Sequence, residues 1–156
     1  MFKRILVPVD GSRTAEAGLK TALRMVRDEK AELVLLHVVD ENVLVLSDEY
    51  AGAPYLDRLM ADMRSGGRKI IDKAQATAKK QGVTARTVLV ESIGPRRVAD
   101  IIVQQARKLR ADAIVIGTHG RRGLSRMVMG SDAEEVVRAS PVPVVLVRPG
   151  TRAKRA

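Results

Sequence analysis

The 156-residue chain, 46% hydrophobic and 29% charged, has material for one hydrophobic core but not for two full-sized ones. With no cysteine it excludes disulfides, thiol catalysis and cysteine-ligated zinc, and with one Phe, two Tyr and no Trp it offers an aliphatic core and almost no platform for stacked bases. The formal net charge of +10 favours anionic partners, yet basic pairs such as Lys79-Lys80 and Arg107-Lys108 are mixed with acids and read as solvated helix faces.

The amino terminus Met1-Phe2-Lys3-Arg4 is basic, but the apolar run behind it is interrupted by Pro8 and closed by Asp10. That is too short for a signal peptide, no stretch reaches membrane-spanning length, and a cytoplasmic location is the expectation. The run 5–9 is the first predicted strand. Ser12 stands where a helix cap belongs, ahead of an apolar stripe of Ala15, Leu19, Ala22, Leu23 and Val26. A second strand is predicted over 33–39. Residues 40–54, with the apolar island Val43-Leu44-Val45-Leu46, read as a long loop holding one helical turn, the kind of segment that serves as a lid or stays disordered. Leu59, Met63, Ile70, Ala74 and Ala78 mark the longest helix, ending at Gly82, with Gly66-Gly67 expected to weaken or kink its middle. A third strand follows over 87–90. The next helix carries Val98, Ile101, Ile102, Ala106 and Leu109, with Pro95 near its first turn and Gln105 off pattern. A fourth strand at 113–116, a helix over 132–139 and a fifth strand at 142–147 complete one domain over 1–149. Residues 150–156 are expected to form a basic, disordered tail.

The strands are near-continuous Val, Ile and Leu runs, as a parallel sheet covered on both faces requires. Their alternation with helices, βαβαβαβαβ, predicts a single doubly wound α/β domain with right-handed crossovers.

Gly117-Thr118-His119-Gly120, nine residues, then Gly130-Ser131 carries the most chemistry. It follows a strand and opens a helix, so a backbone without Cβ atoms and a helix start rich in N–H groups could receive a phosphate. The Walker pattern would place Lys where Ser131 stands, and the dinucleotide fingerprint would need Gly-x-Gly. Ordinary turn glycines remain the alternative. The rule that ligands bind outside the carboxyl ends of strands selects Pro8, Val9, Asp10, Gly11 and Ser12 after the first strand, Val38, Val39 and Asp40 after the second, and 117–122 after the fourth. Asp10 has two readings: a ribose or metal ligand, or an Asp turn feeding the helix. His37 reads as a packed strand histidine, whereas His119 is either a phosphate neighbour or loop decoration. No nucleophile elbow or Ser, His and Asp constellation is visible, which favours a binding and regulatory module, or at most a slow ATPase.

Val7-Pro8-Val9-Asp10-Gly11-Ser12, Leu36-His37-Val38-Val39, Ile116 through Gly123 with Gly130-Ser131, and the closing Ser140-Pro141-Val142-Pro143-Val144-Val145-Leu146-Val147 together resemble the universal stress protein family, over nearly the whole chain to about Pro149. The Gly-x-x-Gly, nine residues, Gly-Ser spacing is similar to its ATP-binding branch. The resemblance implies a Rossmann-like sheet of five parallel strands in order 3-2-1-4-5, with ATP across the ends of strands one and four. It implies the Val38 backbone at the adenine edge, with Pro8, Val9 and Asp10 framing adenine and ribose. Gly117, His119, Gly120, Gly130, Ser131 and the Asp132 backbone would surround ribose and phosphates. It further implies a stress-response role and a homodimer paired through Val144, Val145, Leu146 and Val147, centred past the donor-less Pro143 on 145–147. Asp132 departs from the family, where an uncharged residue is common, and Glu134-Glu135 share its turn. These acids suit the helix dipole but repel a triphosphate unless Mg²⁺ intervenes. Two further readings are a Mg-dependent ATPase organised by Asp10 and a nucleic-acid binder. The latter rests on the charge and on Gly120-Arg121-Arg122-Gly123, which matches the loop of KH domains, but there it joins two helices and here it follows a strand.

Overall fold

In the chain's computed structural model, residues 2–40, 53–92, 95–118 and 130–149 are described. His119, Gly120, the island at 43–46 and the tail 150–156 lie outside them. The elements run β1 (Arg4–Pro8), α1 (Arg13–Glu29), β2 (Glu32–Asp40), α2 (Ala53–Lys80), β3 (Ala85–Ser92), α3 (Val98–Lys108), β4 (Ala113–Gly117), α4 (Ser131–Ala139) and β5 (Val144–Val147). All strand pairs are parallel and the order is β3-β2-β1-β4-β5. The doubly wound architecture and the implied strand order are therefore both present.

Strand alternation splits the core in two. Ile5, Val7, Leu33, Leu35 and Val115 face α1 and α2, where they meet Leu19, Leu23, Ile71 and Ala78. Leu6, Val34, Leu36, Ile114 and Ile116 face α3 and α4, where they meet Ile102, Ala106 and Val136. Each fully buried Leu, Ile or Val contributes roughly 1.5–3 kcal/mol, so aliphatic burial is the main force holding both faces. At the amino-terminal edge of the sheet, the Lys3 and Arg4 N–H groups both donate to Asp112 Oδ2 at 2.8 Å. Arg4 Nε reaches Glu32 Oε2 at 2.6 Å, joining β1 to β2 at the same corner.

Several boundaries differ from expectation. β3 is longer than 87–90, because its charged ends pair with β2 from Leu33↔Ala85 to Asp40↔Ser92. β5 is shorter than 142–147, since Pro143 has no N–H and serves only as acceptor for Ile114 N–H at 3.0 Å. α2 starts at Ala53, inside the segment expected to be a loop, and continues unbroken through Gly66-Gly67. A helix-interior glycine costs roughly 0.5–1 kcal/mol relative to alanine, so that pair calls for a reason. For Gly67 the reason is packing: a Cβ there would lie 2.8 Å from Val39 Cγ2 and 2.9 Å from His37 Cδ2. Gly117 is explained the same way, because a Cβ would fall 2.6 Å from the Thr14 carbonyl carbon, where α1 crosses the end of β4.

Candidate functional site

β1 and β4 are neighbours at the point where strand order reverses, and their carboxyl ends open into a cleft of about 980 Å³. This is where an open α/β sheet places its ligand. Eight of the described candidates line it: Pro8, Val9 and Asp10 beyond β1, Val38 on β2, Gly117 on β4, and Gly130, Ser131 and Asp132 at the start of α4, whereas Gly11, Ser12 and Thr118 do not.

The β1 rim is built by local hydrogen bonds. Val9 N–H donates to the Leu36 carbonyl at 2.8 Å, and His37 Nδ1 lies 2.6 Å from the Val9 carbonyl. His37 is 3% exposed, so the packed reading holds, with the addition that its ring anchors the rim. Asp10 Oδ1 accepts from Ser12 N–H at 2.9 Å, and Ser12 Oγ accepts from Ala15 N–H at 3.1 Å, capping α1. The turn reading of Asp10 is thus realised. Asp10 also lines the cleft.

At the opposite end, Thr118 N–H donates to the Val147 carbonyl at 3.0 Å and Gly130 N–H donates to the Thr118 carbonyl at 2.8 Å. The second bond docks the start of α4 beside the end of β4, and the first ties that end to β5. Gly130 is the N-cap, with φ −64 and ψ 145, a conformation open to any residue, and no side chain caps the helix. The helix ladder begins with Glu134 N–H donating to the Gly130 carbonyl at 3.0 Å, so the N–H groups of Ser131, Asp132 and Ala133 precede it. This end of the cleft can receive an anion through backbone donors and the helix dipole. Asp132 and Glu135 bring negative charge to the same place, while Glu134 is paired outward with Arg138 at 3.0 Å.

Two walls escaped the sequence reading. Met63, Gly66, Gly67 and Ile70, spaced i, i+3, i+4 and i+7, present one face of α2. Val98, Ala99 and Ile102 at the start of α3 line the other side, with Arg97. Arg97 is exposed and sits at the N-cap of α3. Extending the strand-end rule to the third strand would have selected it. Among the described residues no group of three His, Asp or Glu is placed to hold a metal ion, and no helix is long and apolar enough to cross a membrane.

A model of the universal stress protein family matches residues 1–148. A universal stress protein of Bacillus subtilis, YxiE, is 31% identical over 152 residues, covering 95% of this chain and 100% of its own. A solved family member from Burkholderia pseudomallei is 34% identical, with TM-score 0.74 and 95% and 96% of the two chains covered. The structure of MJ0577 of Methanocaldococcus jannaschii is 26% identical, with TM-score 0.82 and 98% and 99% covered. Neighbours of 18–23% identity share the fold and are complexes of their own chains with AMP, dAMP and cAMP.

Proposed function

The chain belongs to the universal stress protein family, and from that premise we propose that it is a cytoplasmic, stress-responsive regulatory module that binds ATP. The observation that carries the reading is the convergence of eight candidates, from β1, β2, β4 and the start of α4, on one cleft whose two ends differ in character. Toward β2 the cleft is lined mainly by apolar groups, Val38, Met63, Ile70, Val98 and Ile102, with Asp40 and Arg97 among them. Toward β4 it ends at the uncapped start of α4. A nucleotide would lie with its base over β2 and its phosphates at Gly130, Ser131 and the Asp132 N–H. Pro8 and Val9 would border the base and Asp10 would accept from the ribose. His119 and Gly120 are proposed to join them on the phosphate side. The adenine nucleotides bound by other proteins of this fold support the ligand class.

Mg²⁺ fits this site as a phosphate-held ion. It usually takes one or two carboxylates and completes its shell with phosphate oxygens and water, and Asp10, Asp132 and Glu135 all line the cleft. When bound, the ion would offset the repulsion between those acids and a triphosphate.

The proposed homodimer uses the free edge of β5. Ile114 N–H bonds the Pro143 carbonyl and Thr118 N–H bonds the Val147 carbonyl. Parallel ladders alternate by two, so Val145 and Val147 turn their backbone groups toward β4, whereas Val144 and Leu146 turn theirs outward. The centre of pairing shifts accordingly from 145–147 to Val144 and Leu146. Leu146 on that edge is 39% exposed, an apolar side chain placed to meet a second copy.

Mass spectrometry of the nucleotide retained through purification tests the reading. Release of ATP in near-stoichiometric amount is expected, and a ligand-free protein that takes up no added adenine nucleotide would refute it.

A further inference from the structure

Gly66 lies in the interior of α2, where glycine is disfavoured, and no contact among the described residues accounts for it. A Cβ built there meets no atom within 4 Å, in contrast to Gly67 one residue on, whose Cβ would press into Val39 and His37. Its φ is not in the left-handed range either. What Gly66 does face is the cleft, between Met63 and Ile70 on the same face of α2. The missing side chain makes a notch of bare helix backbone flanked by an apolar side chain one turn to each side.

The notch is held in position. Arg64 Nε pairs with Glu91 Oε2 on β3 at 3.0 Å, Lys73 Nζ pairs with Glu16 on α1 at 2.9 Å, and Gln75 Nε2 donates to the Ala85 carbonyl at 2.9 Å. α2 packs on β2 and β3, so the notch belongs to the apolar end of the cleft, away from the start of α4. Val98 and Ile102 stand on the opposite wall. A gap lined by apolar groups on both sides and by bare backbone at its centre suits a flat ring.

We propose that Gly66 is a ligand-contacting residue whose missing side chain leaves room for the purine base of the bound nucleotide. The inference rests on the nucleotide-binding reading above and adds to it the contact that seats the base. On this account the chain keeps a residue unfavourable to its helix because a ligand occupies a space that no described residue fills.

The test is to measure the affinity for AMP and the unfolding midpoint of the parent, Gly66→Ala and Gly66→Leu. Open space around Gly66 lets both variants fold, and removing a helix glycine should raise the midpoint of Gly66→Ala by a few degrees. AMP affinity should fall about tenfold in Gly66→Ala and further in Gly66→Leu, as overpacking a filled site does. A parent that binds AMP and a Gly66→Ala that binds it within about twofold would overturn this inference alone. A lowered midpoint in Gly66→Ala would also overturn it, since the glycine would then serve the fold. The same affinities are measured for Mg-ATP, and a parent that binds neither AMP nor Mg-ATP would remove the nucleotide reading and this inference with it.

Discussion

His37 Nδ1 lies 2.6 Å from the carbonyl oxygen of Val9, joining the buried interior of β2 to the first residue beyond β1. A carbonyl can only accept, so the imidazole carries its proton on Nδ1. The bond satisfies a ring that is 3% exposed and fixes the rim that would border a bound base.

His37→Leu removes that donor and leaves the Val9 carbonyl without it, at a cost of about 1–3 kcal/mol. Urea unfolding should register the loss, with weaker AMP binding beside it. His37→Asn, whose side-chain amide can donate in place of Nδ1, should recover part of both. Equal stability of His37→Leu and the parent, within about 0.5 kcal/mol, would contradict the role.

The corner at Asp112 predicts an acid response. Hydrogen bonds from Lys3 N–H and then Arg4 N–H hold its carboxyl below the usual carboxylate range. A depressed folded pKa means that the unfolded chain binds more protons there, so the contribution is present above the unfolded pKa and is lost as pH falls through the folded one. Asp112→Asn should therefore lower the unfolding midpoint near neutral pH, and the gap to the parent should narrow as pH falls below about 4. A gap that stays constant across that window would exclude the charge as its cause.

Assembly is tested at Leu146. Its backbone N–H points to the open edge of β5, so Leu146→Pro removes an outward donor and leaves the β4 ladder intact. Sedimentation of the parent at micromolar concentration should give twice the monomer mass, and the variant should move toward monomer with an unchanged circular dichroism spectrum. A monomeric parent would end the dimer proposal.

ATP should be held rather than turned over. Among the described residues the cleft is lined by a single imidazole, His37, whose Nδ1 is committed to Val9. Steady-state phosphate release should stay far below the roughly 10 s⁻¹ typical of enzymes. Release near that rate, abolished by Asp10→Asn, would establish the ATPase reading instead.

Element order and sheet class were legible because buried parallel strands are written as contiguous aliphatic runs, and β1, β2 and β4 are such runs. The ends of β3 were not, since Arg86 and Glu91 sit on an edge strand whose extent is set by pairing with β2. The strand-end rule found the floor of the cleft at Pro8 to Asp10, Val38 and Gly117 without a structure. It could not find the walls. Whether Met63 or Val98 faces a ligand depends on which side of the sheet each helix covers, and that is decided by long-range packing. The glycines divide similarly. Gly117 read as a phosphate residue, yet its lack of a side chain is demanded by Thr14, a contact between residues far apart in the chain.

Gly130 is the sharpest probe of the central claim, because its ordinary φ of −64 tolerates any residue and it lines the cleft as the N-cap of α4. Calorimetry with Mg-ATP on the parent and on Gly130→Val measures it directly. Binding by the parent and a loss of at least about tenfold in the variant, with the fold unchanged, is the predicted result. Equal affinity in the two proteins would contradict the assignment of the phosphates to this helix start.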